Sequence, residues 1–303
     1  MYSYKRLLVA LDLTEMDETL FSYTSKLVDI LNTDKVYFFH VAKSLELPEK
    51  VKEAYPDLMA PTDEALKEQI QKKVEEKFKS KCDYSVEIKE GNAEDKILRW
   101  ADIKEIDLLV VGKKVNLKGK GTLTGKLAKT IHCSVLFVPE EAKDTVSSVL
   151  IATDCSKTSA LALEEAMFFK ERTGAQVVVQ NSFEVPSGYH TSGKSYEEFT
   201  EIMRSNAYED VVGFLNDNKV KEGDVEIILS HDEEDDPAER AWEVAEEKKV
   251  DLIMIGSKGR TGLASILLGS VADKMVAYNT VIPLLIVKDK KENLSFLQAL
   301  LDL

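Results

Sequence analysis

The chain predicts an α/β protein built as two tandem, doubly wound parallel sheets of five strands each. Apolar runs of strand length alternate with longer segments of helical period, the βαβ pattern of a parallel sheet covered on both faces. Three landmarks also occur twice, in the same order: Lys5–Asp12 reappears as Ser147–Asp154, Asp107–Gly112 as Asp251–Gly256, and Ser134–Val138 as Ile282–Ile286. Ordered recurrence of this kind marks an internal repeat. A glycine-rich loop directly after the apolar run Asp251–Ile255 adds a ligand site at a strand end, where open α/β sheets place one.

In the first repeat, strands are predicted over 5–12, 35–41, 84–89, 107–112 and 134–138, and helices over 16–32, 62–80, 93–104 and 122–131. In the second, strands are predicted over 147–153, 176–183, 225–230, 250–256 and 282–288. Its helices are predicted over 157–173, 196–218, 237–248 and 269–278, with Asp236 as N-cap and Pro237 at the first turn of the third. The polar stretch Glu140–Thr145 separates the repeats, giving domains 1–142 and 146–289 and a tail, 290–303.

Composition bounds the function. With 303 residues, 44% of them hydrophobic, each half can bury its own core. A net charge of −14 argues against nonspecific nucleic-acid binding and against adhesion to anionic membranes. Cys82, Cys133 and Cys155 are widely spaced and form no C-x-x-C pair, which suits a reducing, cytoplasmic setting. No apolar run reaches bilayer length, and the N-terminus runs into a strand without a signal peptide.

Gly256-Ser257-Lys258-Gly259 is followed, after nine residues, by Gly269-Ser270. Glycines let a backbone turn at φ > 0 and approach a ligand closely. Gly269-Ser270 falls at a predicted helix start, where free N–H groups and the dipole attract phosphate. Lys258 and Arg260 add positive charge. The alternative is an ordinary glycine-rich βα loop that binds nothing.

The spacing Gly-x-x-Gly, nine residues, then Gly-Ser/Thr resembles the ATP-binding signature of the universal stress proteins, and the whole chain apart from its last dozen or so residues resembles a tandem member of that family. The resemblance implies a Rossmann-like sheet of order 3-2-1-4-5 in each half, pseudo-two-fold pairing through the last strands, and a homo-oligomer. It implies that Asp154 and the backbone of Ala152 and Thr153 hold the adenosine end, and that Ile255 packs on base or sugar. Gly256, Ser257, Lys258, Gly259, Arg260, Gly269, Ser270 and Val271 would surround the phosphates, with Mg²⁺ carried mainly by phosphate oxygens. Asp154 has a second reading, as the cap of the helix starting near Lys157. Ser182 departs from the family, which has an apolar residue against adenine at that position. The role implied is a nucleotide-responsive stress factor or chaperone-like regulator with an unidentified protein partner. Turnover is not implied, because no residue near Ser270 is an obvious general base.

The first repeat departs further. Gly112 and Gly121 stand nine positions apart, against thirteen for Gly256 and Gly269, and Val115 takes the place of the second glycine. Lys113, Lys114, Lys118 and Lys120 could still attract an anion, but the site reads as degenerate. Two rival readings of the whole stand beside this one. Gly188–Ser195 fits G-x-x-x-x-G-K-S, the pattern of a P-loop ATPase using Lys194, or a loop that folds over the nucleotide. The third is a nucleotide-free scaffold acting through its surfaces. His231–Pro237 could suggest a cation site or a solvated loop. In the tail, Leu294, Leu297, Leu300 and Leu301 would share one helix face. The tail begins beyond the loop and the last strand, so truncation after Lys291 is expected to leave ATP affinity intact.

Overall fold

A computed structural model describes residues 4–47, 49–55, 63–114, 123–259, 268–278 and 281–294. Val115, Lys118, Lys120, Gly121, Arg260 and the tail leucines from Leu297 onward lie outside the described residues. The chain divides into two compact units, Ser3–Asp144 and Thr145 onward.

The first unit runs β1 (Arg6–Leu11), α1 (Met16–Leu31), β2 (Lys35–Ala42), α2 (Glu49–Ala54), α3 (Asp63–Lys77), β3 (Asp83–Glu90), α4 (Ala93–Ile103), β4 (Leu108–Lys113), α5 (Leu123–Thr130) and β5 (Ser134–Pro139). Its strands are parallel in the order β3-β2-β1-β4-β5. Leu7, Leu8, Val9, Phe38, Val110 and Phe137 are buried, and Phe38 meets Phe21 and Phe78 edge-to-face at 5.2 and 5.3 Å. α1 stops where Asn32 turns left-handed and donates its N–H to the Val28 carbonyl. The short α2 was not legible in the sequence: Glu-Lys-Val-Lys-Glu-Ala has a single large apolar residue and no periodic stripe.

The second unit repeats the plan: β6 (Ser148–Ala152), α6 (Lys157–Thr173), β7 (Gln176–Phe183), α7 (Tyr196–Asp217), β8 (Glu226–His231), α8 (Pro237–Glu247), β9 (Leu252–Gly256), α9 (Ser270–Tyr278) and β10 (Leu284–Val287). Its order is β8-β7-β6-β9-β10, again parallel, which is 3-2-1-4-5 in each unit, as expected. One landmark of the repeat has a visible structural reason. Asp107 accepts the Arg6 N–H at 2.8 Å, and Asp251 accepts the Ser147 N–H at 2.9 Å, so each aspartate ties the fourth strand of its unit to the first.

α8 starts as its sequence predicts, with Asp236 accepting the Glu239 N–H at 3.2 Å and Pro237 in the first turn. After β10 a final helical turn spans 290–294, its start capped by Asp289, which accepts the N–H groups of Lys291 and Glu292 at 3.1 Å. Because the strands are parallel, Asp154 after β6, Ser182 on β7, Asp232 after β8 and Gly256 on β9 all come to the carboxyl edge of the sheet.

Candidate functional site

β9 ends at Gly256, and the loop beyond it is pinned from several sides. Ser257 N–H donates to the Val287 carbonyl at 2.9 Å, and Gly269 N–H returns to the Ser257 carbonyl at 2.8 Å. The Lys258 carbonyl accepts from the Thr158 hydroxyl and from Ser156 Oγ at 3.4 Å, which locks the loop onto the start of α6. α9 begins at Ser270, so the first-turn N–H groups of Ser270 and Val271 have no acceptor within the helix and face the loop mouth.

The φ > 0 that was anticipated is absent: of the described glycines only Gly91, Gly174 and Gly193 have it. What Gly256 and Gly259 require is space. A Cβ on Gly256 would stand 2.6 Å from the main-chain carbon of Thr158, so this glycine lets the helix backbone pack on the strand end. A Cβ on Gly259 would stand 2.8 Å from Oδ2 of Asp154, and on Gly269 the nearest atom would be the Gly259 nitrogen at 3.4 Å.

Asp154 reaches the loop because Cys155, at φ 60°, turns the chain sharply between β6 and α6. Its Oδ1 accepts the Ser156 N–H at 3.1 Å and the Ser159 hydroxyl at 2.7 Å. The cap of α6 is Ser156 and not Asp154, since the Ser156 side chain accepts the Ser159 N–H. The Asp154 carboxylate instead closes the turn before α6 and holds the Ser159 hydroxyl in the helix's first turn.

A cavity of about 260 Å³ opens between these elements. Of the residues expected at the site, Ala152, Thr153, Asp154, Ser182, Ile255, Gly256, Lys258, Gly259, Gly269, Ser270 and Val271 line it. Ser257 is buried beneath the loop. The cavity also takes in Ser159, Gln180, Asn181, Glu184, Asp232, Pro237 and Ala272, which sequence reading missed. Asn181 donates to the Thr153 carbonyl at 2.8 Å and supports the turn. Lys258 was expected to add positive charge at the phosphates, with ordinary exposed loop charge as the alternative. Its side chain is only 11% exposed and faces Glu292 at 3.7 Å.

The Gly188–Ser195 segment lines none of this cavity. Tyr189–Ser192 form a 3₁₀ turn, Ser195 caps α7 in a capping box with Glu198, and Lys194 faces Glu198 at 3.8 Å. The Ser195 hydroxyl is committed to starting a helix.

In the first unit the matching turn is built differently. Leu13 has φ 63°, the counterpart of Cys155. Asp12, the counterpart of Asp154, is bridged by Lys114 Nζ at 2.5 Å. Burial opposes the Asp12 charge, but Lys114 and Thr14 outweigh it and hold the carboxyl below the usual range. Asp17 stands where Ser159 does and accepts the Asp12 and Leu13 N–H groups at 3.1 and 2.9 Å. Burial removes the Lys113 ammonium from water and pulls its pKa down to about 8.

Two five-stranded 3-2-1-4-5 units, the second with a glycine-containing loop after its fourth strand, define a repeated Rossmann-like α/β protein. The sequence model of the universal stress protein family matches residues 3–139 and again 145–288, and the chain belongs to that family. It is similar to two universal stress proteins of Methanocaldococcus jannaschii. One is 29% identical over 160 residues, 47% of this chain and 94% of the relative. The other is 34% identical over 149 residues, 48% of this chain and 83% of the relative. The fold matches a universal stress protein of Archaeoglobus fulgidus with a TM-score of 0.62 at 17% identity, over 94% of this chain and 98% of that one. A functionally unknown Pseudomonas aeruginosa protein gives 0.67 at 16%, over 98% and 97%. Among the described residues no helix is long and apolar enough to cross a membrane, and no group of His, Cys, Asp or Glu is arranged to hold a metal ion.

Proposed function

We propose that the second unit binds ATP, with Mg²⁺ held through the phosphates, and that the protein is a cytoplasmic, nucleotide-responsive regulator and not a turnover enzyme. The observation that carries this reading is the crowding at Gly259. The loop backbone lies so close to Asp154 that a β-carbon at Gly259 would have to displace the carboxylate, while the start of α9 stands open on the same cavity. Phosphates would lie against Gly259, Gly269 and Ser270, where N–H groups and the helix dipole favour anions. The adenosine end would lie toward Ala152, Thr153, Asp154 and Ile255. Metal bound mainly through phosphate oxygens suits a cavity whose described residues form no preformed cage. Among the described residues, the carboxyl groups of Glu184 and Asp232 belong to the β7 and β8 side, away from Ser270, and Asp154 Oδ1 is already engaged. That arrangement favours holding a nucleotide over activating a water.

The domains we assign are 1–142, with a degenerate site, and 146–289, with the competent one, followed by the tail 290–303. A homo-oligomer of the tandem chain and an unidentified protein partner complete the reading. Mass analysis of small molecules released from the purified protein, with calorimetric titration of ATP, tests it. Adenine nucleotide in the released fraction and saturable ATP binding are expected. Failure of both would leave the nucleotide-free scaffold.

A further inference from the structure

We propose that Asp232 reads the base, and that the site selects a nucleobase with an exocyclic amino group beside an unprotonated ring nitrogen, as in adenine, over a keto base such as hypoxanthine. This rests on the nucleotide reading above.

Asp232 follows β8 at the carboxyl edge of the sheet and is only 3% exposed, yet it lines the cavity. Its N–H donates to the Phe183 carbonyl at 2.9 Å, which fixes the backbone. Its Oδ1 accepts the N–H groups of Glu234 and Asp236 at 3.3 and 3.1 Å, which fixes the side chain. Oδ2 is buried with no hydrogen-bond partner among the described residues. An acceptor left unsatisfied in this way is costly unless a ligand supplies a donor.

Position decides which part of a nucleotide that donor belongs to. The phosphate loop follows β9, and β8 lies three strand spacings away across β6 and β7, about 14 Å. Asp232 is therefore at the end of the cavity opposite the phosphates, where the base would lie.

Ser182 supplies the complementary group. It pairs in register with Ser230, two residues before Asp232, so period two puts Ser182 and Asp232 toward the same face. Gln180 Nε2 donates to Ser182 Oγ at 3.0 Å, so the serine's proton is available to donate elsewhere. A donor at Ser182 and an acceptor at Asp232 match the adenine edge, which offers N1 as acceptor and the N6 amine as donor. Hypoxanthine reverses both, with N1–H as donor and O6 as acceptor.

The test is a calorimetric titration of the full chain with ATP, ITP, dATP and N6,N6-dimethyl-ATP, repeated on Asp232→Asn. In that variant the amide oxygen can keep the Glu234 and Asp236 N–H groups while the amide nitrogen replaces Oδ2. The unaltered protein is expected to bind ATP and dATP at least tenfold more tightly than ITP or the dimethyl analogue, and the variant to lose or reverse the ATP-over-ITP preference. Equal affinity of the unaltered protein for ATP and ITP overturns the proposal without touching the nucleotide reading, and needs no variant to fold. Equal weakening of ATP and ITP in the variant also overturns it. A variant effect on ATP that vanishes with dATP assigns Oδ2 to the ribose and overturns it as well. Binding of no nucleotide overturns both readings.

Discussion

Oδ2 of Asp154 lies 2.8 Å from the point that a β-carbon on Gly259 would occupy. A side chain there must displace the carboxylate, and with it the Oδ1 contacts to Ser156 and Ser159. Gly259→Ala should weaken ATP about tenfold, ~1.4 kcal/mol, and Gly259→Val more. Gly259 is exposed, so the melting temperature should move little. Adding Asp154→Ala to Gly259→Ala should cost less than the sum of the two changes, because they act on one contact. Calorimetry and thermal melts check this, and strict additivity would refute the coupling.

Ser270 opens α9 on the cavity. Its hydroxyl would meet the distal phosphates, so Ser270→Ala should weaken ATP by roughly 1.5–3 kcal/mol, as for loss of a hydrogen bond to a charged group. AMP, which lacks those phosphates, should be nearly unaffected. An equal loss for AMP and ATP would move the serine to the other end of the ligand.

ATP should bind once per chain. In the first unit Lys114 already neutralises Asp12, and Asp17 brings a second carboxyl to the turn where the second unit has Ser159. An anionic ligand entering there would have to break the Lys114 pair and face Asp17. Two equivalent calorimetric sites would contradict this.

The strands and the long helices were legible because burial on both faces gives near-continuous apolar runs and because the plan is written twice. Gly256 and Gly269 were legible from spacing alone, but the reason for the glycines was not. Spacing suggested backbone angle, and only packing reveals that Thr158 and Asp154 stand in the way. Gln180, Glu184 and Asp232 were missed because each belongs to a strand end or its flank, and nothing in their local sequence says which ends converge. His231–Pro237 was read correctly as a helix start at Asp236. The role of its first aspartate depends on an unpaired oxygen, which has no sequence signal.

Glu292 should restrain the phosphate loop. It faces Lys258 at 3.7 Å and is half exposed, so the pair is worth about 0.2–1 kcal/mol. Incoming phosphate would compete with Glu292 for the lysine, and Glu292→Gln should therefore tighten ATP up to about fivefold. Truncation after Lys291 removes the same carboxylate. It should tighten ATP to a similar degree, contrary to the expectation that tail removal leaves affinity intact. It should also lower the melting temperature, since Asn293 is buried. Unchanged ATP affinity in both variants would show that the pair does not compete with phosphate.

Glu165 should make the second unit less stable as pH rises. It sits on the inner face of α6 with Ala162, Ala166 and Phe169, and neither carboxyl oxygen has a hydrogen-bond partner among the described residues. Burial pushes its pKa up to about 8, and the neighbouring charge of Glu164 adds to the shift. The folded value thus lies above the 4.5 of an ordinary glutamate. The folded state holds the proton more tightly, so the stabilisation is full below pH 4.5, falls as pH rises, and is lost once pH passes about 8. The slope in that window is at most about 1.4 kcal/mol per pH unit. Glu165→Gln keeps the shape without the titration, so the variant should gain on the parent from about pH 5 to about pH 8, with the gain levelling off above. Urea unfolding of both proteins across that range measures the difference directly, and parallel stability curves would mean that Glu165 finds a partner or water in solution.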